Sequence, residues 1–306
     1  MKPVVLVNVS AGTAAEYEGD TLDRVLGREL AEVGVAAEVK AVAPGDLDAA
    51  LKRARGGDRP VVVAGGDGTV AAAVQLLAGT SVPLGVLPLG TYNLLGRDLG
   101  MSSDLREAVR QLASAEIRPI DLGLVEGKRY FHTLAGFGYF SRVARARQVA
   151  RESLPGSRIV QAALAVFRSL TRGGSLDVRV RAGNRVETVR TPAILVTNNL
   201  LNHESWRRER LDGGMFEINI VRGDVPFPLV KGGLAALMGS WRDSSDIMSF
   251  TASEFSLEFR RPRIFVNLDG EHLRPRTPVR FKMVPRSLHV MAARPAVGES
   301  ETAPLP

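Results

Sequence analysis

Residues 60–69 read Pro-Val-Val-Val-Ala-Gly-Gly-Asp-Gly-Thr, and the fold turns on them. The run Val61-Val62-Val63-Ala64 shows no polar alternation, so it predicts a strand over 60–64 that is buried on both faces. Strands of that kind belong to parallel sheets covered by helices. The string Gly65-Gly66-Asp67-Gly68-Thr69 then leads into a helix predicted over 69–77. Glycines at such a junction let the backbone turn sharply and approach a ligand closely. N–H groups at a helix N-terminus suit phosphate. No Lys follows the last glycine, which excludes the Walker A pattern, and the glycine spacing excludes the dinucleotide fingerprint. An ordinary strand–helix turn is the plainer alternative.

The same alternation extends outward. Val4–Asn8 reads as a buried strand. Leu22, Val25, Leu26, Leu30 and Val33 recur at helical spacing, with Gly34 as the stop. A strand over 35–42, a helix over 47–55 behind Asp46, and a strand over 82–87 follow. This β-α-β-α order predicts a parallel, doubly wound sheet. Later the pattern changes. Short strands are predicted over 177–182, 185–190, 193–197, 216–221, 256–259, 264–268 and 279–283. Several alternate apolar and polar residues, as antiparallel strands with one wet face do. Helices are predicted over 140–152, 159–170 and 229–238. The expected domains are 1–124 and 125–292, with a tail over 293–306, rich in Pro, Glu, Ser and Thr, expected to be disordered.

The 306 residues include no Cys, which excludes a disulfide framework and a thiolate metal site and fits a reducing cytoplasm. No apolar run reaches the roughly 20 residues that span a bilayer. Charge is uneven. Residues 1–124 hold 12 Lys and Arg against 16 Asp and Glu, and residues 125–306 hold 28 against 17. The second half, at a net +11, predicts an anionic partner such as a membrane surface or a phosphate ligand. A solvated Arg-rich surface is the alternative. Nucleic acid is not expected, since aromatics do not interleave the basic residues.

Two further loops end strands at the same edge of the predicted sheet. One is Asn8-Val9-Ser10-Ala11-Gly12-Thr13, and the other is Pro88-Leu89-Gly90-Thr91-Tyr92-Asn93. Thr91 has a hydroxyl for a phosphate, and Asn93 is either an orienting group or a helix cap. Far downstream, Asn267-Leu268-Asp269-Gly270-Glu271 offers two carboxylates around a glycine. They read as a base and a metal or hydroxyl orienter, or as a plain Asp-Gly hairpin turn.

The ordered trio GGDGT, GTYN and DGE resembles the diacylglycerol kinase catalytic family, which includes bacterial lipid kinases and is similar to sphingosine kinases. The likeness runs from about Lys2 to Ala292, and Pro83 to Gly100 and Leu211-Asp212-Gly213-Gly214 look typical of bacterial members. It implies an α/β N-terminal domain with a parallel sheet like those of phosphofructokinase and NAD kinase. It also implies a C-terminal two-layer antiparallel β-sandwich, with the site in the cleft between the two. Asn8, Ser10, Gly12, Gly65, Gly66, Asp67, Gly68, Thr69, Thr91 and Asn93 would then bind ATP. Asp269 would take the proton of a lipid hydroxyl, and Glu271 would support the nucleotide or metal side. Mg²⁺ would accompany ATP, with Asp67 as the candidate for organising it and Asp212 as the candidate ligand of a separate structural magnesium ion. The resemblance implies γ-phosphoryl transfer by a cytoplasmic, peripherally membrane-associated enzyme, and leaves a homodimer open.

The sequence departs from the family pattern at Val9, Ala41, Ala71, Ala72 and Gly213. Gly213 stands where some members have an Asp that holds a structural magnesium ion. A soluble kinase resembling NAD kinase and a non-catalytic lipid- or nucleotide-binding homologue are the alternatives. The lipid itself is not legible.

Overall fold

The structure is a computed structural model, which describes residues 2–10, 21–145, 174–202, 207–208, 210–223 and 245–294. The expected helices over 159–170 and 229–238, the later part of that over 140–152, Gly12 and the tail lie outside the described residues. The chain divides into two compact units, one of residues 1–120 and 287–306 and the other of residues 121–286.

The first unit is built on parallel strands in the order β2 (Glu38–Val42), β1 (Val4–Asn8), β3 (Val61–Gly65), β4 (Leu84–Pro88). Strand β3 is buried along its length, as its unbroken apolar run requires. Helices α1 (Leu22–Glu32), α2 (Leu47–Arg55) and α3 (Asp67–Leu77) join these strands. α1 buries Leu22, Leu26 and Leu30, one face of a 3.6-residue repeat. β2 begins at Glu38 rather than at 35, because the N–H of Val35 still closes on the carbonyl of Leu30. α4 (Leu94–Asp98) and α5 (Leu105–Ala113) follow β4.

The second unit is antiparallel and two-layered. One sheet has the order β12 (Ile247–Ala252), β11 (Phe216–Val221), β10 (Ala193–Asn198), β7 (Leu134–Gly138), β14 (Val266–Leu268), β15 (Glu271–Leu273). The facing strands are β8 (Leu176–Ala182), β9 (Arg185–Thr191), β13 (Glu254–Phe259) and the first half of β16 (Val279–Ala292), with β5 (Glu116–Val125) and β6 (Arg129–Phe131) beside them. Phe131, Phe137, Phe216, Phe255 and Phe281 fill the space between the layers, and Phe255 stacks on Phe281 at 4.6 Å. A helix begins at residue 139.

Strand β16 runs far past the predicted end at 283. Pro285 cannot donate to a ladder, and Arg286 takes a positive φ of 50°. The carboxylate of Asp121 accepts the N–H of Arg286 at 2.8 Å, and beyond this break the strand resumes beside β4, with Val290 opposite Leu84. β5 and β16 are thus strands whose residues belong partly to one unit and partly to the other.

Candidate active site

In the first unit the three predicted loops interlock. Asp67 is the first residue of α3, but its carboxylate reaches across to the other loop. It accepts the N–H of Asn93 at 3.1 Å and of Leu94 at 2.7 Å, which caps α4. Asn93 holds a left-handed φ of 49°, and its amide closes on Gly90 through two bonds of 2.8 Å. The two loops meet backbone to backbone, since a Cβ on Gly90 would lie 2.6 Å from the Cα of Gly66. The side-chain amide of Asn8 donates to the Thr69 hydroxyl at 2.9 Å, while its oxygen accepts the Ser10 N–H at 3.0 Å. Thr69 is buried and crowds Gly65, where a Cβ would meet its hydroxyl at 2.5 Å.

These residues hold one another, and the surface they leave is backbone. Among the described residues no acceptor meets the N–H groups of Asp67 or Gly68 at the start of the 11-residue α3. Gly68 is exposed, with open space where a Cβ would stand. Thr91 and Tyr92 are exposed on the second loop. Two free amides on a helix N-terminus and a bare glycine can receive an anion without a cation on the loop itself.

In the second unit Asp269 and Gly270 form the two-residue turn between β14 and β15, with φ of 48° and 96°. Asp269 is 5% exposed. One carboxylate oxygen accepts the N–H of His132 at 2.6 Å, and the other accepts those of Thr133 and Leu134 at 2.9 Å. The imidazole Nδ1 of His132 lies 3.2 Å from the same carboxylate and 2.7 Å from the Thr133 hydroxyl. Three backbone donors fix the direction of both oxygens. Glu271 is half-buried and paired with Arg129.

Several polar residues around this turn were invisible in the sequence. Arg208 is buried and donates to the carbonyls of His132 and Asn198. Asn198 donates to the carbonyls of Asp121 and His132 at 2.9 and 3.2 Å. Asp121, almost fully buried, accepts the N–H groups of Gly214 and Arg286. Only a buried Asp in a strand and a paired Asn-Asn could have signalled them.

The carboxylates do not fit a resident metal. Both oxygens of Asp67 hold backbone N–H groups, and Asp212 is exposed with Arg210 at 3.5 Å. Among the described residues no group of three or more His, Asp or Glu could hold an ion.

The model of the diacylglycerol kinase catalytic domain matches residues 2–125. A diacylglycerol kinase of Mycobacterium tuberculosis is 28% identical over 250 residues, covering 78% of each chain. A protein of Pseudomonas syringae pv. syringae described as "Probable lipid kinase YegS-like" is 30% identical over 252 residues, covering 76% of each. A crystal structure of a diacylglycerol kinase from Bacillus anthracis superposes with a TM-score of 0.67 at 17% identity, over 95% of this chain and 96% of that one. The last is a likeness of fold.

Proposed function

The chain belongs to the diacylglycerol kinase catalytic domain family and is a lipid kinase, and from that premise we propose that it transfers the γ-phosphoryl group of ATP to the hydroxyl of a diacylglycerol-like or sphingoid-like lipid. The observation that carries this reading is the interlock of Gly66 with Gly90 and of Asp67 with Asn93 and Leu94, beside the open helix start at Gly68. Side chains there are spent on shaping the loops, so the backbone is left for the phosphates.

In this reaction the loop amides orient and neutralise the phosphates. Mg²⁺ bound with the nucleotide would lower the charge of the γ-phosphate. Asp269 receives the proton of the lipid hydroxyl, and the N–H groups of His132, Thr133 and Leu134 keep its carboxylate aimed. Glu271, held by Arg129, supports the turn. An anionic membrane surface is the partner that the second half's charge suits. Among the described residues no helix is long and apolar enough to cross a membrane.

The test is transfer of label from γ-labelled ATP into total lipid extract, with the product identified. A labelled lipid that vanishes with Asp269→Asn supports the reading. Label found only on a soluble nucleotide, or on nothing, overturns it.

A further inference from the structure

One corner of the second unit carries arginine without acid. Residues 258–276 hold Arg260, Arg261, Arg263, Arg274 and Arg276, all exposed. Their three acids are committed elsewhere: Glu258 lies 4.0 Å from Arg181, Asp269 is buried among backbone donors, and Glu271 pairs with Arg129. None of the five arginines has an acidic partner among the described residues.

The backbone gathers them. Arg263 and Arg276 form a β-bridge, so two like charges stand directly opposite each other, an arrangement that costs stability. Ile264 donates to the Pro275 carbonyl at 3.2 Å and Thr277 to the Pro262 carbonyl at 3.1 Å, which closes the two segments side by side. Between them Phe265 is 43% exposed, and its ring lies under two more guanidinium groups, Arg274 at 4.9 Å and Arg145 at 5.2 Å. A bare aromatic ring set among uncompensated arginines matches a bilayer boundary, with phosphates outside and acyl chains beneath.

We infer that this corner is the surface by which the kinase docks on an anionic membrane. The inference rests on the lipid-kinase reading, because the substrate lies in a bilayer. It goes beyond net charge by assigning the contact to six residues. Arg260, Arg261, Arg263, Arg274 and Arg276 engage lipid phosphates, and Phe265 enters the headgroup region. The strand pair that carries them leads directly into the Asp269 turn, so docking also fixes where that turn meets the lipid.

The experiment measures co-sedimentation with vesicles of phosphatidylcholine alone and mixed with phosphatidylglycerol, at low and high salt. Turnover of a short-chain diacylglycerol in detergent micelles is measured in parallel. Replacing Arg263, Arg274 and Arg276 together by Gln is expected to weaken binding to the anionic vesicles about 100-fold, from the usual contribution of each surface arginine. Micelle turnover should stay unchanged, and melting should not fall, since the change also removes the opposed charges of Arg263 and Arg276. Phe265→Ser is expected to lose about 10-fold, with little salt dependence. A control triple, Arg53, Arg55 and Arg118 to Gln, should bind as the parent does. Undiminished vesicle binding by the first triple, an equal loss in the control, or binding of the corner to duplex DNA in place of vesicles overturns the inference. Absence of turnover in micelles with the parent protein defeats the kinase reading instead, whatever the vesicles show.

Discussion

Gly66 and Gly90 touch through their backbones: a methyl group on Gly90 would lie 2.6 Å from the Cα of Gly66, and one on Gly66 would lie 3.2 Å from the Cα of Gly90. The contact joins the loop after β3 to the loop after β4, so neither can move alone. Glycine is needed here for closeness rather than for an unusual φ, since Gly66 sits at −90°.

Adding a side chain at either position should therefore push the loops apart. Gly66→Val and Gly90→Ala are each expected to raise the dissociation constant for ATP about 5- to 100-fold, from overpacking of about 1–3 kcal/mol. Melting should fall by only a few degrees, about 2–4 °C per kcal/mol in a chain of this size. Calorimetric titration with ATP and thermal melting check both. A folded variant with normal ATP affinity would remove the phosphate role from these loops.

Asp67→Asn keeps the shape but can accept only one of the two N–H groups of Asn93 and Leu94 well. The lost bond to a charged acceptor is expected to cost about 1–3 kcal/mol. The fall in melting temperature should be the same with and without Mg²⁺, because the carboxylate holds backbone and not an ion. Melting curves at several Mg²⁺ concentrations decide this. A destabilisation that appears only with Mg²⁺ would make Asp67 a metal ligand.

Asp269→Asn should lower turnover about 10²–10⁴-fold at saturating ATP and lipid, with ATP affinity nearly unchanged. Some stability should go with it, since the amide turns a donor toward a backbone N–H. Turnover and melting measured on the same preparation separate the two effects. Near-normal turnover with lowered melting would reduce Asp269 to an anchor of the turn.

His272, partly buried on β15, has its pKa lowered below 6.5, first by burial and also by the charge of Arg145, against a hydrogen bond that its ring donates to the Ala144 backbone carbonyl, which raises it. The folded state therefore binds the proton less readily than the unfolded chain. Stability from this group is present above the unfolded pKa and is lost as pH falls through 6.5 toward the lowered value. Melting curves between pH 5 and pH 8 should drop on the acid side, and His272→Gln should flatten that part of the profile. An unchanged profile would assign the drop to other groups.

Arg208→Met should destabilise the second unit by about 1–3 kcal/mol, because the carbonyls of His132 and Asn198 lose a buried donor. Thermal melting is the check. Equal stability would mean that water replaces the guanidinium.

The parallel half of the fold was legible because its signals are local. Val61 to Ala64 has no polar residue, and the glycines follow at once. The α5 helix was missed although its start carries a capping pattern, with the Asp104 side chain accepting the N–H of Glu107 at 2.9 Å. It buries only Ala108, Val109 and Leu112, a stripe short enough to pass for a loop. The end of β16 was hidden by Pro285, since the carboxylate that rescues the neighbouring N–H comes from Asp121, 165 positions away. Distance in sequence also hid the surroundings of Asp269. The sequence shows Asp269 at a turn, but the backbone donors that aim it come from residues as far as 137 positions earlier. Arg208 reads as a surface cation, and burial among carbonyls is a property that only the assembled sheets create.

The pairing of Val290 with Leu84 bears on how the chain is made. Strand β4 leaves the ribosome some two hundred residues before the strand that flanks it, so the parallel sheet waits through most of synthesis with one edge open. An open edge of buried, apolar sequence is a template for pairing with another copy. A gene cut near residue 125, where the match to the catalytic domain model stops, would make that waiting state permanent. Such a fragment should be recovered as aggregate, while the same residues stay soluble when the segment through residue 292 is supplied in the same polypeptide.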